Sequence, residues 1–160
     1  MLNQYLGKFV LYIIEQICYT KSRTEWRGKM IIHIEPQADT PIYTQLTKQI
    51  IEGIARGYMR PGDSLPSVRA LAGDLGVNMH TVNKSYHELE KRGIIRIIPK
   101  SGAVIQAPVV VTQDSPHYEH ITDELKSAIA EALVLGIQTE QVEELVTSII
   151  QDLHAESKKK

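Results

Sequence analysis

The stretch PGDSLPSVRALAGDLGVNMHTVNKSYHELEKRGIIRIIPKSG, residues 61–102, decides the fold of this chain. Within it, Ser67 is a favourable N-cap and Gly76 a favourable C-terminal residue for one short helix. Asn78 and Gly93 bound a second helix in the same way. The apolar residues at helical spacing, which we expect to face a core, are Leu71, Ala72, Leu75, Val82, Tyr86 and Leu89.

A β-hairpin is predicted directly after these two helices. The segments IIRII at 94–98 and AVI at 103–105 are rich in apolar, β-branched residues, and the turn formers PKSG separate them. Such a two-stranded ribbon after a helix-turn-helix pair is typical of a wing.

An earlier helix is predicted over residues 41–56, with Thr40 or Asp39 as its N-cap and Pro41 as its first helical residue. Its apolar residues repeat every four positions, at Ile42, Leu46, Ile50 and Ile54. Before it, the alternation IIHIE at 31–35 predicts a short extended segment suited to be an added edge strand. Three helices and a hairpin predict a winged helix-turn-helix over residues 30–107.

The last third of the chain predicts two amphipathic helices after a connector over residues 108–115. Pro116 begins one helix, which ends at Gly136, and Thr139 is the expected N-cap of the other. Two helices of about four turns cannot bury their apolar stripes against each other alone, so we expect residues 116–155 to pair with a second copy. The residues expected in this homodimer contact are Ile121, Leu125, Ile129, Leu133, Val142, Leu145, Val146, Ile149, Ile150 and Leu153.

The fold class is thus predicted to be mainly α (α+β), a winged helix-turn-helix followed by a short two-helix dimerisation segment. The extension at residues 1–29 leaves two interpretations open. The Arg-Gly-Lys sequence before Met30 fits a translated ribosome-binding segment, which would make Met30 the true start. The alternative is a genuine N-terminal helix that covers a surface. The basic tail at 156–160 is expected to be solvated.

Composition excludes several classes of protein. Cys18 is the only cysteine, so the chain has no intrachain disulfide and no multi-cysteine zinc site. The apolar run FVLYII at 9–14 is far shorter than the roughly 18 residues of a membrane-spanning helix, and no secretory cleavage site follows it. We therefore expect a cytoplasmic protein that makes no membrane contact.

The net charge of −1 conceals an uneven distribution. Residues 30–107 have nine basic and seven acidic side chains, whereas residues 108–160 have four basic and ten acidic ones. The acidic last third would repel a polyanion, whereas the middle segment, with its small net positive charge, could contact one.

The polar side chains of the two short helices and the hairpin are suited to DNA. A recognition helix needs short polar or basic side chains near its N-terminal end, where base edges are within reach. Helix amides, hydroxyls and basic groups bind phosphate oxygens, and the fork of Arg69 matches a guanine edge. Gly102 permits close backbone approach to phosphates. The predicted contacts to double-stranded DNA are Ser67, Arg69, Asn78, His80, Thr81, Asn83, Lys84, Arg96, Lys100, Ser101 and Gly102.

Other roles for these residues are compatible with the sequence. Arg69 can form an ion pair with Asp63 or Asp74, and Asn78 can be a helix cap alone. The pair His117 and His120 lacks a converging cysteine or carboxylate, so no metal site is predicted. No phosphate-binding loop, dinucleotide motif or nucleophile with a base partner is found, so neither a cofactor nor catalysis is predicted.

Residues 61–105 resemble the GntR family of bacterial transcription regulators. They follow its pattern P-G-x-x-L-P-S-x-R-x-L-A-x-x-L-G-V-x-x-x-T-V and end in a motif similar to the wing motif G-S-G-x-x-V. Ser85 replaces the usual alanine, and Lys100 replaces the first wing glycine. Met79, His80 and Asn83 occupy the stretch in which many relatives have arginine, so the resemblance implies DNA binding but not a base preference.

The short C-terminal part resembles the YtrA subfamily. This resemblance implies a dimerising segment and repression of an operon for an ABC transporter. We therefore predict a homodimeric repressor on a palindromic operator. Two alternatives stay open, a sensor with a small-molecule or metal effector at the dimer interface, and a winged helix that binds another protein.

Overall fold

The computed structural model describes residues 23–26, 30–108 and 110–154. Strand β1, Arg23–Trp26, pairs antiparallel with β2, Met30–His33, in a two-stranded sheet. The edge strand expected near 31–35 is therefore present, but its partner is the preceding segment. The helical interpretation of the extension is wrong for residues 23–26, because they are extended. The remainder of the extension, residues 1–22 and 27–29, and the basic tail lie outside the described residues.

Helix α1, Ile42–Ala55, begins one residue later than predicted and ends one residue earlier. Pro41 is its N-cap residue, with an extended ψ of 141°, and no side chain caps this end. The expected capping role of Thr40 or Asp39 is therefore wrong. The side chain of Gln45 instead bonds to the carbonyl oxygens of Thr40 and Glu35, at 2.7 and 2.9 Å, so it joins this end of α1 to the segment before it.

Both short helices are confirmed together with their caps. Helix α2, Val68–Leu75, has the Ser67 Oγ as acceptor of the Ala70 amide, and it ends at Gly76 in a left-handed conformation (φ 66°). Helix α3, Met79–Lys91, begins after Asn78, whose Oδ1 accepts the His80 amide at 2.8 Å. These local signals placed both helices correctly.

The wing has one strand more than predicted. Strands β4, Ile95–Ile98, and β5, Gly102–Ile105, form the expected hairpin, and β3, Ser64–Leu65, adds to the free edge of β5. Two residues are too short for any periodic signal, which is why the sequence did not predict β3. The added strand fixes the segment before α2 to the wing.

One core joins α1, α2, α3 and the wing. It includes all six apolar residues predicted to face inward from α2 and α3. Two polar contacts lie inside this core. The Tyr86 hydroxyl donates to the Pro66 carbonyl oxygen at 2.9 Å, and the hydroxyls of Thr47 and Ser85 are 2.9 Å apart.

Two long helices follow the connector. Helix α4, Pro116–Val134, is capped by the Ser115 hydroxyl, and α5, Thr139–His154, begins at the residue expected to be its cap. The N-cap prediction for Thr139 is therefore wrong by one position. Helix α4 has no buried residue, and Val142 is the one buried residue of α5. No described helix is long and apolar enough to cross a membrane.

The predicted dimerisation residues form exposed stripes along α4 and α5. Between about a third and a half of each side chain is exposed for most of them, with Val142 buried and Leu153 half-buried. The exposed members are Ile121, Leu125, Ile129, Leu133, Leu145, Val146, Ile149 and Ile150.

Candidate nucleic-acid interface

The predicted DNA-binding residues are located at the N-terminal ends of α2 and α3 and on the wing. Most of them are exposed, namely Arg69, Asn78, His80, Asn83, Lys84, Arg96, Lys100 and Ser101. Ser67 and Thr81 are half-buried, and Gly102 is buried. Val82, Ser85, Tyr86 and Leu89 face the core from α3. The exposed polar residues His80, Asn83 and Lys84 are on the solvent-facing side of that helix.

Arg69 is available for a ligand. It is exposed, and within the described residues no hydrogen bond or ion pair engages its guanidinium. The alternative ion pair with Asp63 or Asp74 is therefore not formed. The structure leaves the fork of Arg69 in solvent in the first turn of α2.

The two caps retain hydrogen-bond donors for phosphate. The Ser67 hydroxyl oxygen and the Asn78 side-chain oxygen each accept a helix amide. These bonds use acceptors, so the Ser67 O–H and the Asn78 side-chain NH₂ remain donors without a partner among the described residues. Each residue can therefore cap its helix and bind a phosphate oxygen at the same time.

Lys84 is positioned by an aromatic ring that the sequence analysis missed. Its Nζ lies 3.8 Å from the centroid of the Tyr43 ring, which extends from α1. A hydrogen bond with the side chain of Thr44 and the nearby charge of Lys84 lower the pKa of the Tyr43 hydroxyl. The only sequence signal is that Tyr43 lies one position away from the apolar stripe. Its partner is too distant along the chain for any spacing rule.

The wing tip contains a strained residue. Lys100 adopts a left-handed conformation, with φ of 67°, in the turn closed by the bond from the Ser101 amide to the Ile98 carbonyl at 3.1 Å. This region favours glycine, the residue that the wing motif described above has at this position. The turn presents an exposed ammonium at the outermost point of the hairpin.

Gly102 has a structural reason to be glycine. Its φ is 116°, and a Cβ there would clash with the carbonyl oxygen of Leu65 and lie 2.6 Å from that of Pro66. The glycine therefore allows β3 and the residue after it to approach β5. Its predicted approach to phosphate stays a prediction.

The wing is attached to the recognition helix by Glu90, a second residue that the sequence analysis missed. Its Oε1 accepts the Ile97 amide of β4 at 2.8 Å. Arg96, next to Ile97, is exposed on the same strand. The bond therefore fixes the position of the wing cations relative to α3.

A small cleft and two histidines of α4 are candidate effector sites among the described residues. An open cleft of about 250 Å³ is lined by Ile31, Gln49, Glu52, Gly53, Arg56 and Tyr58. Its volume is below the roughly 300 Å³ at which small-molecule pockets begin. His117 and His120 are exposed on α4, and in the described part of the chain no three His, Cys, Asp or Glu residues group around a metal-sized space.

Comparisons with known proteins agree with this geometry. The model of the bacterial regulatory proteins of the gntR family matches residues 42–105. The HTH-type transcriptional repressor YtrA of Bacillus subtilis strain 168 is 37% identical over 123 residues, which cover 77% of this chain and 95% of that protein. This alignment is longer than the span of the family model, so the similarity extends beyond the winged helix.

Solved structures support the same assignment. A transcriptional antiterminator from Listeria monocytogenes EGD-e has a TM-score of 0.67 at 30% identity, covering 76% of this chain and 90% of that one. YtrA from Sulfolobus acidocaldarius, a GntR-family transcription factor, has a TM-score of 0.52 at 42% identity, covering 64% and 97%. This chain belongs to the GntR family of bacterial regulatory proteins and is a DNA-binding transcription regulator of the YtrA type.

Proposed function

We propose that this regulator is a homodimeric repressor that binds a two-fold symmetric operator with one α3 in each half-site. The observation that supports a dimer best is the exposed apolar surface of α4 and α5. Leu145 and Ile149 are 51% and 50% exposed, and they lie four residues apart on one face of α5. Apolar stripes of this length on a soluble chain mark an interface.

A second copy of the chain is the simplest partner for these stripes. Both helices contribute apolar residues, and an isologous contact covers the same surface on each protomer. The dimer axis then relates the two winged helices, so the operator is expected to be palindromic, with half-sites about 10 bp apart or a multiple of that spacing.

The charge distribution supports the orientation of this dimer on DNA. The exposed cations Arg69, Lys84 and Lys100 are on the winged helix, whereas acidic residues predominate after residue 108. The phosphate backbone attracts the first group and repels the second. In the proposed complex, α3 enters the major groove, the wing contacts the adjacent backbone, and the two long helices point away from the duplex.

Repression is proposed from similarity. The Bacillus subtilis relative is named a transcriptional repressor, and the resemblance to its subfamily implies an operon for an ABC transporter as the target. A dimer on an operator that overlaps a promoter excludes the polymerase without further machinery. A bacterial regulator acts where the chromosome lies, so a cytoplasmic location is part of this proposal.

The experiment is a selection of DNA fragments from a random or genomic pool, combined with sedimentation of the free protein. We expect two inverted half-sites in the selected DNA and the mass of a dimer. The double variant Leu145→Glu and Ile149→Glu should be monomeric and should lose most of its affinity, while the exposed control Glu144→Gln should retain both properties. A wild-type monomer that selects a single half-site would contradict the proposal.

A further inference from the structure

Helix α1 of the winged helix and helix α5 of the C-terminal segment are joined by one side-chain pair. The Nη2 of Arg56, the C-cap residue of α1, lies 2.5 Å from Oδ2 of Asp152, and its Nη1 donates to the Asp152 carbonyl oxygen at 3.1 Å. We call these two residues the clasp. It joins positions 96 residues apart in the chain.

The orientation of the Arg56 guanidinium is fixed before it reaches α5. Glu52, one helical turn earlier, accepts from Nε at 3.0 Å and from Nη2 at 2.9 Å. The Arg56 side chain is 19% exposed, so most of its surface packs against protein. Because Glu52 already orients the Arg56 guanidinium, that side chain loses little conformational entropy when it binds Asp152.

The clasp also recognises the backbone of α5. The Asp152 carbonyl is in the last turn of the helix, where carbonyl oxygens have no intrahelical donor. Arg56 supplies one of these missing donors. Because it bonds both the carbonyl oxygen and the carboxylate of Asp152, the interaction requires a particular orientation of the end of α5. Arg56 lowers the pKa of Asp152, which keeps the carboxylate charged.

Little else in the described residues holds the C-terminal segment in place. Helix α4 has no buried residue, and Val142 is the one buried residue of α5. The connector, described at 108 and 110–115, has no helix or strand and is mostly exposed. We therefore expect α4 and α5 to change their angle to the winged helix more easily when the clasp is absent.

We propose that the clasp sets the distance between the two recognition helices of the dimer, and thereby selects the half-site spacing of the operator. This inference rests on the proposed homodimer. Each recognition helix is rigidly packed on α1 in the shared core, and the clasp connects α1 to the segment that dimerises. A dimer with intact clasps therefore presents its two α3 helices at one separation, and a dimer without them presents a range.

The test measures affinity for a series of operators in which the spacing between half-sites varies in single base pairs. The wild-type dimer is expected to prefer one spacing. Arg56→Gln, which removes both bonds of the clasp, should reduce the preference over a spacing changed by about 5 bp, half a turn of DNA, by roughly fivefold or more. Asp152→Asn retains the backbone carbonyl and a side-chain oxygen, so it should reduce the preference less. The control Glu144→Gln makes the same change of charge as Asp152→Asn, on the exposed surface of α5, and should leave the preference unchanged.

Two further measurements make the result specific. The double variant Arg56→Gln and Asp152→Asn should discriminate no worse than Arg56→Gln alone, because that substitution already removes the whole interaction. Binding to an isolated half-site should be unchanged in all variants, since no DNA-binding residue is altered.

Each outcome decides one of the two proposals. If Arg56→Gln, which removes both bonds of the clasp, remains dimeric and retains the wild-type spacing preference, the clasp does not select spacing and the inference is overturned, while the homodimer stands. If sedimentation shows the wild type to be a monomer on a single half-site, the homodimer fails, and the inference fails with it.

Discussion

Lys100 is a residue whose backbone and side chain have opposing requirements. Its φ of 67° lies in the left-handed region, which raises the energy of any residue with a Cβ by about 1–2 kcal/mol. A non-glycine residue in such a position indicates a function that outweighs the strain. We propose that the exposed ammonium at the wing tip provides this function by binding a phosphate.

Lys100→Gly should therefore separate stability from DNA binding. We expect the free energy of unfolding to rise by up to about 1 kcal/mol, because the glycine relieves the strain but adds freedom to the unfolded chain. The affinity for the operator should fall, and its dependence on salt should decrease by about 0.9 in slope, the loss of one phosphate contact. Urea unfolding and titrations at several salt concentrations measure the two effects. Equal binding by Lys100→Gly and wild type would show that the wing tip makes no phosphate contact.

Tyr43 is expected to position Lys84 through its ring. Tyr43→Leu should weaken operator binding by roughly two- to fivefold, because the stacked ammonium loses its support. Tyr43→Phe retains the ring and should bind like the wild type. In a Lys84→Met background, Tyr43→Leu should have no further effect on the dissociation constant. A further loss in that background would assign Tyr43 a contact of its own.

The buried hydroxyls of Thr47 and Ser85 predict an asymmetric response to substitution. Thr47 also donates to the Tyr43 carbonyl at 2.8 Å, so it retains a partner in Ser85→Ala. In Thr47→Val, the buried Ser85 hydroxyl loses its bond to Thr47. This variant should therefore lower the free energy of unfolding by about 1–3 kcal/mol, a larger loss than in Ser85→Ala. Urea unfolding of both variants gives the order, and a larger loss in Ser85→Ala would contradict it.

At the scale of elements, Glu90 adds a hydrogen bond to the core packing that attaches the wing to α3. Glu90→Ala removes the acceptor of the Ile97 amide and should lower the free energy of unfolding by about 1 kcal/mol. Glu90→Gln retains a side-chain oxygen at the same place and should restore most of the stability. Faster exchange of the Ile97 amide hydrogen in Glu90→Ala, with α2 unaffected, would locate the change in the wing. An unchanged Ile97 exchange rate would contradict this assignment.

Elements with local signals were predictable, and those without such signals were not. Ser67 and Asn78 specify their helix starts because each cap bonds to an amide two or three residues away. Strand β3 exists only because Ser64 and Leu65 find an edge of β5 some forty residues later. Pro41 shows the limit of local rules, since its φ suits a helix while its ψ is extended.

At the scale of the whole molecule, the exposed stripes predict that stability depends on protein concentration. Dimerisation stabilises the folded state by mass action, so the urea midpoint should rise as the concentration rises. Leu145→Glu should remove this dependence and lower the midpoint at high concentration, because a charge in an apolar contact opposes association. The matched control Glu143→Gln, also exposed on α5, should behave like the wild type. A wild-type midpoint independent of concentration would argue against the dimer.

The sequence by itself determined the family, the three helices and hairpin of the winged domain, and the polar side chains available to DNA, because caps, periodicity and turn formers act over a few residues. Only the tertiary structure decided which of these side chains are fixed by contacts and which residues make those contacts. The ring of Tyr43 under Lys84, the acceptor of Glu90 for the wing, and the clasp of Arg56 with Asp152 each join residues from different elements. Such contacts depend on how the elements pack against one another, and the spacing of residues along the chain does not indicate this packing.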